Sequence, residues 1–308
     1  MASALSILNS YGDDSVKEDV LSDIEILTAT EDMIHNTLAK TRALTTVHET
    51  LTDELDTVAS LATAETADFS NTALTTPSRL TNLVQINVKK FEVSRTQRDI
   101  AHFQGQDELT RQVQKALKDW MNATEYELVR GSLVSGVSGT VPKMAGVIMS
   151  ISTTGNVTAQ TSGTSFSASI LRGLMKDQYD NTNGSVATDI YVGSYLSNEI
   201  DSFSNKTGIT YDGIGAKNVV NAVDVFETGL GRVRKHTHRY VQIAGDTTGR
   251  VLGINPKAMR VAYLKRPYID TGLQRNGDYD ARAVVGKLTL ETKNQDVNFF
   301  GYGYKDGT

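Results

Sequence analysis

Between Arg79 and Gly131 the apolar pattern changes from a period of two to a helical period. In RLTNLVQINVKKFEVS, Leu80, Val84, Ile86 and Val88 fall at even positions, which predicts a half-buried strand. In GQDELTRQVQKALKDWMNATEYELVRG, Leu109, Val113, Ala116, Leu117, Trp120, Thr124 and Leu128 share one helical face. That spacing predicts a helix over 105–131, roughly 35–40 Å long. Gly105 and Asp107 suit its start, with Asp107 and Glu108 at the positive end of the dipole; Arg130 and Gly131 suit its end. No catalytic residue lies on it. A strand feeding so long a helix is scaffold geometry, and Trp120, the single tryptophan, reads as its core anchor.

Upstream, residues 1–46 read as an extended or partly helical arm. Val16, Val20, Ile24, Leu27, Ile34 and Leu38 recur at roughly helical spacing, with no core of their own. Residues 47–92 read as two strand arms around a small-residue, hydroxyl-rich tip ending at Pro77, a protruding hairpin. After Gly131 come Gly/Ser/Thr-rich loops. A mixed block follows, in which FSASILRGLMKDQYD and SYLSNEIDSFS read as helices and VATDIYVG as a buried strand. VNAVDVFETGLGRVRKHTHRYVQIAG reads as two strands about the turn at Gly229 and Gly231. Long strands then return in RVAYLKRPYI and AVVGKLTLETKN, separated by the Asn276-Gly277 turn. No fixed-period repeat is visible.

Composition narrows the function classes. The chain has 308 residues, 39% apolar, with four prolines, enough for one large domain or two modest ones. It has no cysteine, which removes disulfides, thiolate metal sites and cysteine nucleophiles. The first residues lack the basic and apolar regions of a secretory signal, and no apolar run of about 18 residues predicts a membrane span. The net charge of −5 is uneven. Residues 1–75 carry three basic side chains against fourteen acidic ones, a balance of −11, and the remainder carries 28 against 22, or +6. Such halves can attract one another between copies.

The candidate chemistry is sparse. GTSFSAS at 163–169 resembles the nucleophile turn of a subtilisin-like protease, but no matching histidine helix or acidic strand accompanies it, so it reads as a Ser/Thr loop. His236 and His238 would share one strand face. No third ligand is evident, and Arg234, Lys235 and Arg239 oppose a cation, so they read as a polar strand face. His35, His48 and His102 are scattered, and GLGRVRK lacks phosphate-loop spacing. No catalytic, cofactor-binding or metal-binding residue is expected, no cofactor is expected, and an enzyme is disfavoured. The cluster Arg232, Arg234, Lys235 and Arg239 could meet DNA or acidic residues of another subunit; the intersubunit or solvated reading is preferred.

The order of elements, and the strings RLTNLVQINVKKFEVSRTQRDI, DELTRQVQKALKDWMNATEYELVRG, VDVFETGLGRVRKHTHRYV and YLKRPYIDTGLQRNGDYDARAVVGKLTLETKN, resemble the major capsid proteins of tailed bacteriophages. This is the Hong Kong 97-like fold, shared with herpesvirus shells and encapsulins, and the likeness covers about Leu27 to Asn298. The resemblance implies an α+β capsid fold with an N-terminal arm (1–46), an extended β-hairpin loop (47–92), and a peripheral domain (93–165) with a spine helix (105–131). It also implies an axial domain (166–260) and C-terminal strands (261–308) returning to the peripheral domain. It implies self-assembly into hexamers and pentamers of an icosahedral head shell enclosing double-stranded DNA, without sequence specificity and without a membrane. Its partners would be a portal protein, a separate scaffolding protein and, in some shells, a cement or decoration protein, in a virion assembled in the host cytoplasm. Asp53, Glu54, Asp56, Glu65, Asp68 and Arg79 of the hairpin, with Arg232, Arg234, Lys235 and Arg239, are the expected intersubunit contacts. Gly105 and Gly131 are expected to be flexible joints. The type phage of the fold cross-links a hairpin lysine to a neighbour's asparagine, yet 43–78 contains no lysine, so a non-covalent shell is expected. A tail-tube or baseplate subunit, and a surface-layer protein or adhesin, remain alternatives at this point.

Overall fold

The computed structural model describes residues 31–55, 60, 62–63, 65, 75–100, 107–137, 139–152, 156–181, 185–203, 225–243, 245–246, 248–274 and 277–305. Expectations for residues 1–30, for Asp56 and Asp68, and for His102 and Gly105 lie outside them.

In chain order the first elements are α1 (Met33–Thr37), β1 (Ala39–Arg42), β2 (Val47–Thr52), β3 (Ser78–Leu83), β4 (Gln85–Ser94), α2 (Arg95–Asp99) and α3 (Glu108–Arg130). Then come α4 (Val147–Ser152), β5 (Val157–Thr164), α5 (Ala168–Asn181), β6 (Asp189–Val192) and α6 (Ser194–Ser202). The chain closes with β7 (Val225–Thr228), β8 (Gly231–Thr237), β9 (Gly249–Ile254), β10 (Met259–Asp270), β11 (Tyr279–Thr292) and β12 (Phe299–Tyr304).

Two sheets organise the body. The first has the order β1-β10-β11-β4; the second, β5-β12-β9-β6-β8-β7. The helix α3 forms where the apolar stripe predicts it. Its face buries Leu109, Ala116, Trp120, Thr124 and Leu128, and adds Glu125 and Val129. Trp120 is the anchor: its Nε1 donates to Asn87 O at 3.0 Å, and its ring lies so close to Gly286 on β11 that a Cβ there would stand 2.4 Å from Cζ2. Only glycine admits the indole at that point of the sheet.

The centre of the second sheet is buried on both faces, which explains the apolar run Ile190, Tyr191 and Val192 in β6. Tyr191, Leu252, Ile254 and Phe300 face a core shared with α3 and the first sheet, while Ile190, Val192, Val233, Val251 and Phe299 face a core under α5 and α6. Alternate residues of a strand point to opposite faces, so consecutive residues of β6 serve the two cores.

Three sequence expectations change. The second arm of the hairpin is two strands: β3 pairs with β2 in the register Val47↔Leu83 to Thr52↔Ser78, and β4 leaves to pair with β11. The break falls at Val84, 5% exposed, and at Gln85, whose Oε1 accepts from Met144 N at 3.1 Å; burial here redirects the chain into the body. The hairpin proper is therefore β2 and β3, and the residues 85–92 assigned to it belong to the first sheet. The C-terminal strands likewise divide, since β10 and β11 join the first sheet but β12 enters the second between β5 and β9.

Gly131, expected to be a flexible joint, is a close-packed one. A Cβ on it would meet Glu127 O at 2.5 Å and Met144 O at 2.8 Å, and a Cβ on Gly146 would meet Gly131 N at 2.7 Å. Gly146 N donates to Gly131 O at 2.8 Å. Glycine is required here for backbone proximity and not for a left-handed conformation, since φ of Gly131 is −52°.

Candidate intersubunit surfaces

The hairpin belongs to neither body sheet. Along β2 the residues alternate exposed and half-buried, so Val47, Glu49 and Leu51 share an outer face while His48, Thr50 and Thr52 turn inward. Leu51, on β2, is 68% exposed and Leu55, three residues beyond its end, 98%. The base is fixed to the body: Asn82 Nδ2 donates to Ala145 O (3.0 Å) and Leu290 O (2.9 Å), while its Oδ1 accepts from Ala145 N (2.9 Å). His48 Nε2 meets Glu291 Oε2 at 3.0 Å. The lever thus has an anchored root and an outer face on which Val47 and Leu51 flank the exposed Glu49.

The expected contact residues sit as follows. Arg79 pairs with Glu49 across the hairpin at 3.1 Å, both exposed, so its charge is already answered within the subunit. Asp53 accepts from Glu54 N at 3.0 Å, Glu54 O accepts from Thr75 Oγ1 at 2.9 Å, and Glu65 is exposed in a turn. Of the basic cluster, Arg234 is exposed on β8, and Arg232 makes an exposed pair with Glu227 at 3.3 Å. Lys235 is largely buried against Asp201 at 2.6 Å, and Arg239 packs over the Tyr240 ring at 5.0 Å. Among the described residues, no ion pair joins the acidic hairpin to this cluster within one subunit.

The histidine pair departs from its expectation. His238 is fully buried instead of lying on a polar strand face. Tyr240 N donates to its Nδ1 at 3.2 Å, so Nε2 carries the proton and donates to Glu125 Oε1 at 2.9 Å. Glu125 itself has no exposure and also accepts from Ile34 N (2.6 Å) and His35 N (2.9 Å), answering the free amides of α1. His236 stacks on Tyr191 at 5.1 Å and meets Asp189 at 3.0 Å. His35 touches the Tyr263 hydroxyl; burial, then the nearby Lys40 ammonium, holds its imidazole below the usual range, and burial pushes Tyr263 up to about 12.

Sequence reasoning missed this junction. Its one signal was an acidic residue, Glu125, inside the apolar stripe of a long helix, where a carboxylate survives only with partners. Ile34 and Leu38, read as part of an arm without a core, bury fully against the body around it.

Among the described residues no group of three or more potential ligands is arranged to hold a metal ion, and no helix is long and apolar enough to cross a membrane. The Ser/Thr loop does local work: Ser167 Oγ lies 2.8 Å from Ser169 Oγ and accepts from Ile170 N at 3.4 Å, capping α5.

Comparison with known proteins agrees with this architecture. The capsid of a native GTA particle superposes with a TM-score of 0.68 at 12% identity, covering 96% of this chain and 97% of that one. The capsid of Myoviridae phage XM1 gives 0.63 at 13%, covering 93% and 96%. The holo-SrpI encapsulin complex from Synechococcus elongatus gives 0.61 at 9%, covering 97% and 96%. At these identities the likeness is one of fold, the Hong Kong 97-like fold expected above. No curated protein matches in sequence. The model of the SU10 major capsid protein family matches residues 6–301, nearly the whole chain, and the chain belongs to that family.

Proposed function

We propose that copies of this head-shell subunit close into an icosahedral shell of hexamers and pentamers around double-stranded DNA, assembled in the host cytoplasm. Identical subunits repeat heterologous contacts, and curvature closes the array. The observation that carries the reading is the hairpin: a strand pair outside both sheets, rooted by Asn82 and presenting Val47, Leu51 and Leu55 to its surroundings. A second subunit supplies the surface those side chains lack. Many such contacts, each weak, act together in a closed shell.

In this reading the first sheet with α3 is the peripheral domain, and the second sheet with α5 and α6 is the axial domain. The role is structural and not catalytic. Asp53, Glu54, Asp56, Glu65 and Asp68 of the hairpin, with Arg79, Arg232, Arg234, Lys235 and Arg239, contribute contacts between subunits; Arg234, exposed on its strand, is the most available of the basic set. A portal protein, a separate scaffolding protein and, where present, a decoration protein complete the head. The test is expression of the chain with and without its scaffolding partner, followed by size-exclusion chromatography and electron microscopy. Closed shells are expected; tubes, flat lattices or small oligomers in every condition would reject the proposal.

A further inference from the structure

We infer that Glu54 of the hairpin and Asp296 of the β11–β12 connection form a proton-operated brace, which holds the hairpin off its own body when both carboxylates are charged and lets it close when one is neutral. The brace lies within one subunit and does not depend on how copies assemble.

The two carboxylates stand on elements that are held differently. The body side is tied down: Asp296 N donates to Asn294 Oδ1 at 3.0 Å, and Asp296 O accepts from Asn156 Nδ2. Asn298 closes the same turn, donating through Nδ2 to Asn294 O at 3.2 Å and accepting from Asn255 N at 2.9 Å. The hairpin side hangs from its root. Glu54 lies two residues beyond the end of β2, and its carbonyl oxygen accepts from Thr75 Oγ1 of the returning chain at 2.9 Å. Between the two sides is an open space of about 420 Å³, lined by Thr52, Asp53, Glu54 and Ser78 of the hairpin and by Lys293 and Asp296 of the body.

Burial, and then the charge of Glu54, holds the Asp296 carboxyl above the usual carboxylate range. The fold therefore binds this proton more tightly than the unfolded chain does, and the ionised form is the crowded one. Two facing carboxylates relieve their repulsion by moving apart or by taking up a proton. A protonated Asp296 is also a donor, and a carboxyl-to-carboxylate hydrogen bond to Glu54 belongs to the stronger, charge-assisted class. Asp53 adds negative charge on the hairpin side, and Lys293, exposed on the body side, offsets part of it. Nearer the root, His48 and Glu291 meet at 3.0 Å. The bonds of Asn82 to Ala145 and Leu290 carry no charge, so they persist as pH changes and serve as the pivot.

The absence of native cysteine gives a clean test in the unassembled full-length chain. Nitroxide labels are placed at Leu51→Cys on the hairpin and Lys257→Cys on the body, both exposed, and their separation is read by double electron–electron resonance. The separation is expected to fall between about pH 7.5 and about pH 4.5 by about 3 Å, one layer of water replaced by a hydrogen bond. Asp296→Asn, which removes the charge and keeps the shape, is expected to show the short separation already at neutral pH and to lose the pH response. Glu54→Gln is expected to do the same, while His48→Gln is expected to keep the response. A long separation in Asp296→Asn at neutral pH overturns the inference, and that reading does not require the fold to survive acid. A response that persists in Asp296→Asn, or disappears in His48→Gln, overturns it as well. None of these outcomes bears on whether copies close into shells.

Discussion

Glu125 and His238 meet at 2.9 Å with neither side chain exposed. The same carboxylate accepts the amides of Ile34 and His35, so one buried group ties the spine helix to the second sheet and to the end of the leading arm. Removing one partner of a buried, hydrogen-bonded pair strands the others, which costs about 3–5 kcal/mol. Glu125→Ala is expected to destabilise the subunit by that order. Glu125→Gln, which keeps an acceptor oxygen, is expected to cost about half as much. Urea denaturation of the unassembled subunit measures both, and equal effects from the two variants would show that the acceptor geometry is not what matters.

Close backbone packing at the end of α3 makes a second prediction. A methyl group at Gly131 or Gly146 has carbonyl oxygens within 2.8 Å, so the helix terminus or the segment at 144–146 must shift. Gly131→Ala and Gly146→Ala are each expected to cost about 1–3 kcal/mol. Gly173, with open space around its Cα, is the control: Gly173→Ala, inside α5, should be neutral or stabilising by up to about 1 kcal/mol. Thermal melts of the three variants provide the ranking.

Much of this was legible in the apolar pattern. The spine helix shows its ends and its face, because a stripe over 23 residues leaves one solution. The alternation in β2 likewise marks the hairpin. The partition of residues 78–94 into β3 and β4 was not legible, since both halves alternate alike and only the burial of Val84 and Gln85 separates them. Nor was the Glu125–His238 pair, whose members stand 113 residues apart and whose partners include backbone amides. The contact residues named from charge alone divide on inspection: Arg79 and Lys235 are answered inside the subunit, while Arg234 faces outward.

The His35 imidazole sets a pH dependence. Burial and Lys40 depress its pKa in the fold below 6.5, while Glu125 and Asp32 oppose them. Between the folded and unfolded values the unfolded chain binds more protons, so stability rises with pH. This contribution is complete above pH 6.5 and is lost as pH falls through the folded value. Melting temperatures of the unassembled subunit should therefore decline from pH 7 towards pH 5.5, and His35→Gln should flatten that decline. An identical slope in the variant would assign the effect to other groups.

With no lysine between Ala43 and Ser78, the hairpin tip offers no amine for an isopeptide bond. Lys89 and Lys90 lie on β4 in the body sheet, occupied by Asp119 at 3.1 Å and Glu92 at 2.5 Å. Purified shells boiled in detergent should run as a single band at the monomer mass. A ladder persisting after reduction and boiling would show covalent joints that the sequence provides no loop lysine to make.

The most direct measurement of the central claim is a cryo-electron microscopy map of the assembled particle at side-chain resolution. The account predicts a closed shell in which Val47, Leu51 and Leu55 of each hairpin are covered by an adjacent subunit. A map in which those side chains stay in solvent or lie against their own subunit would contradict it.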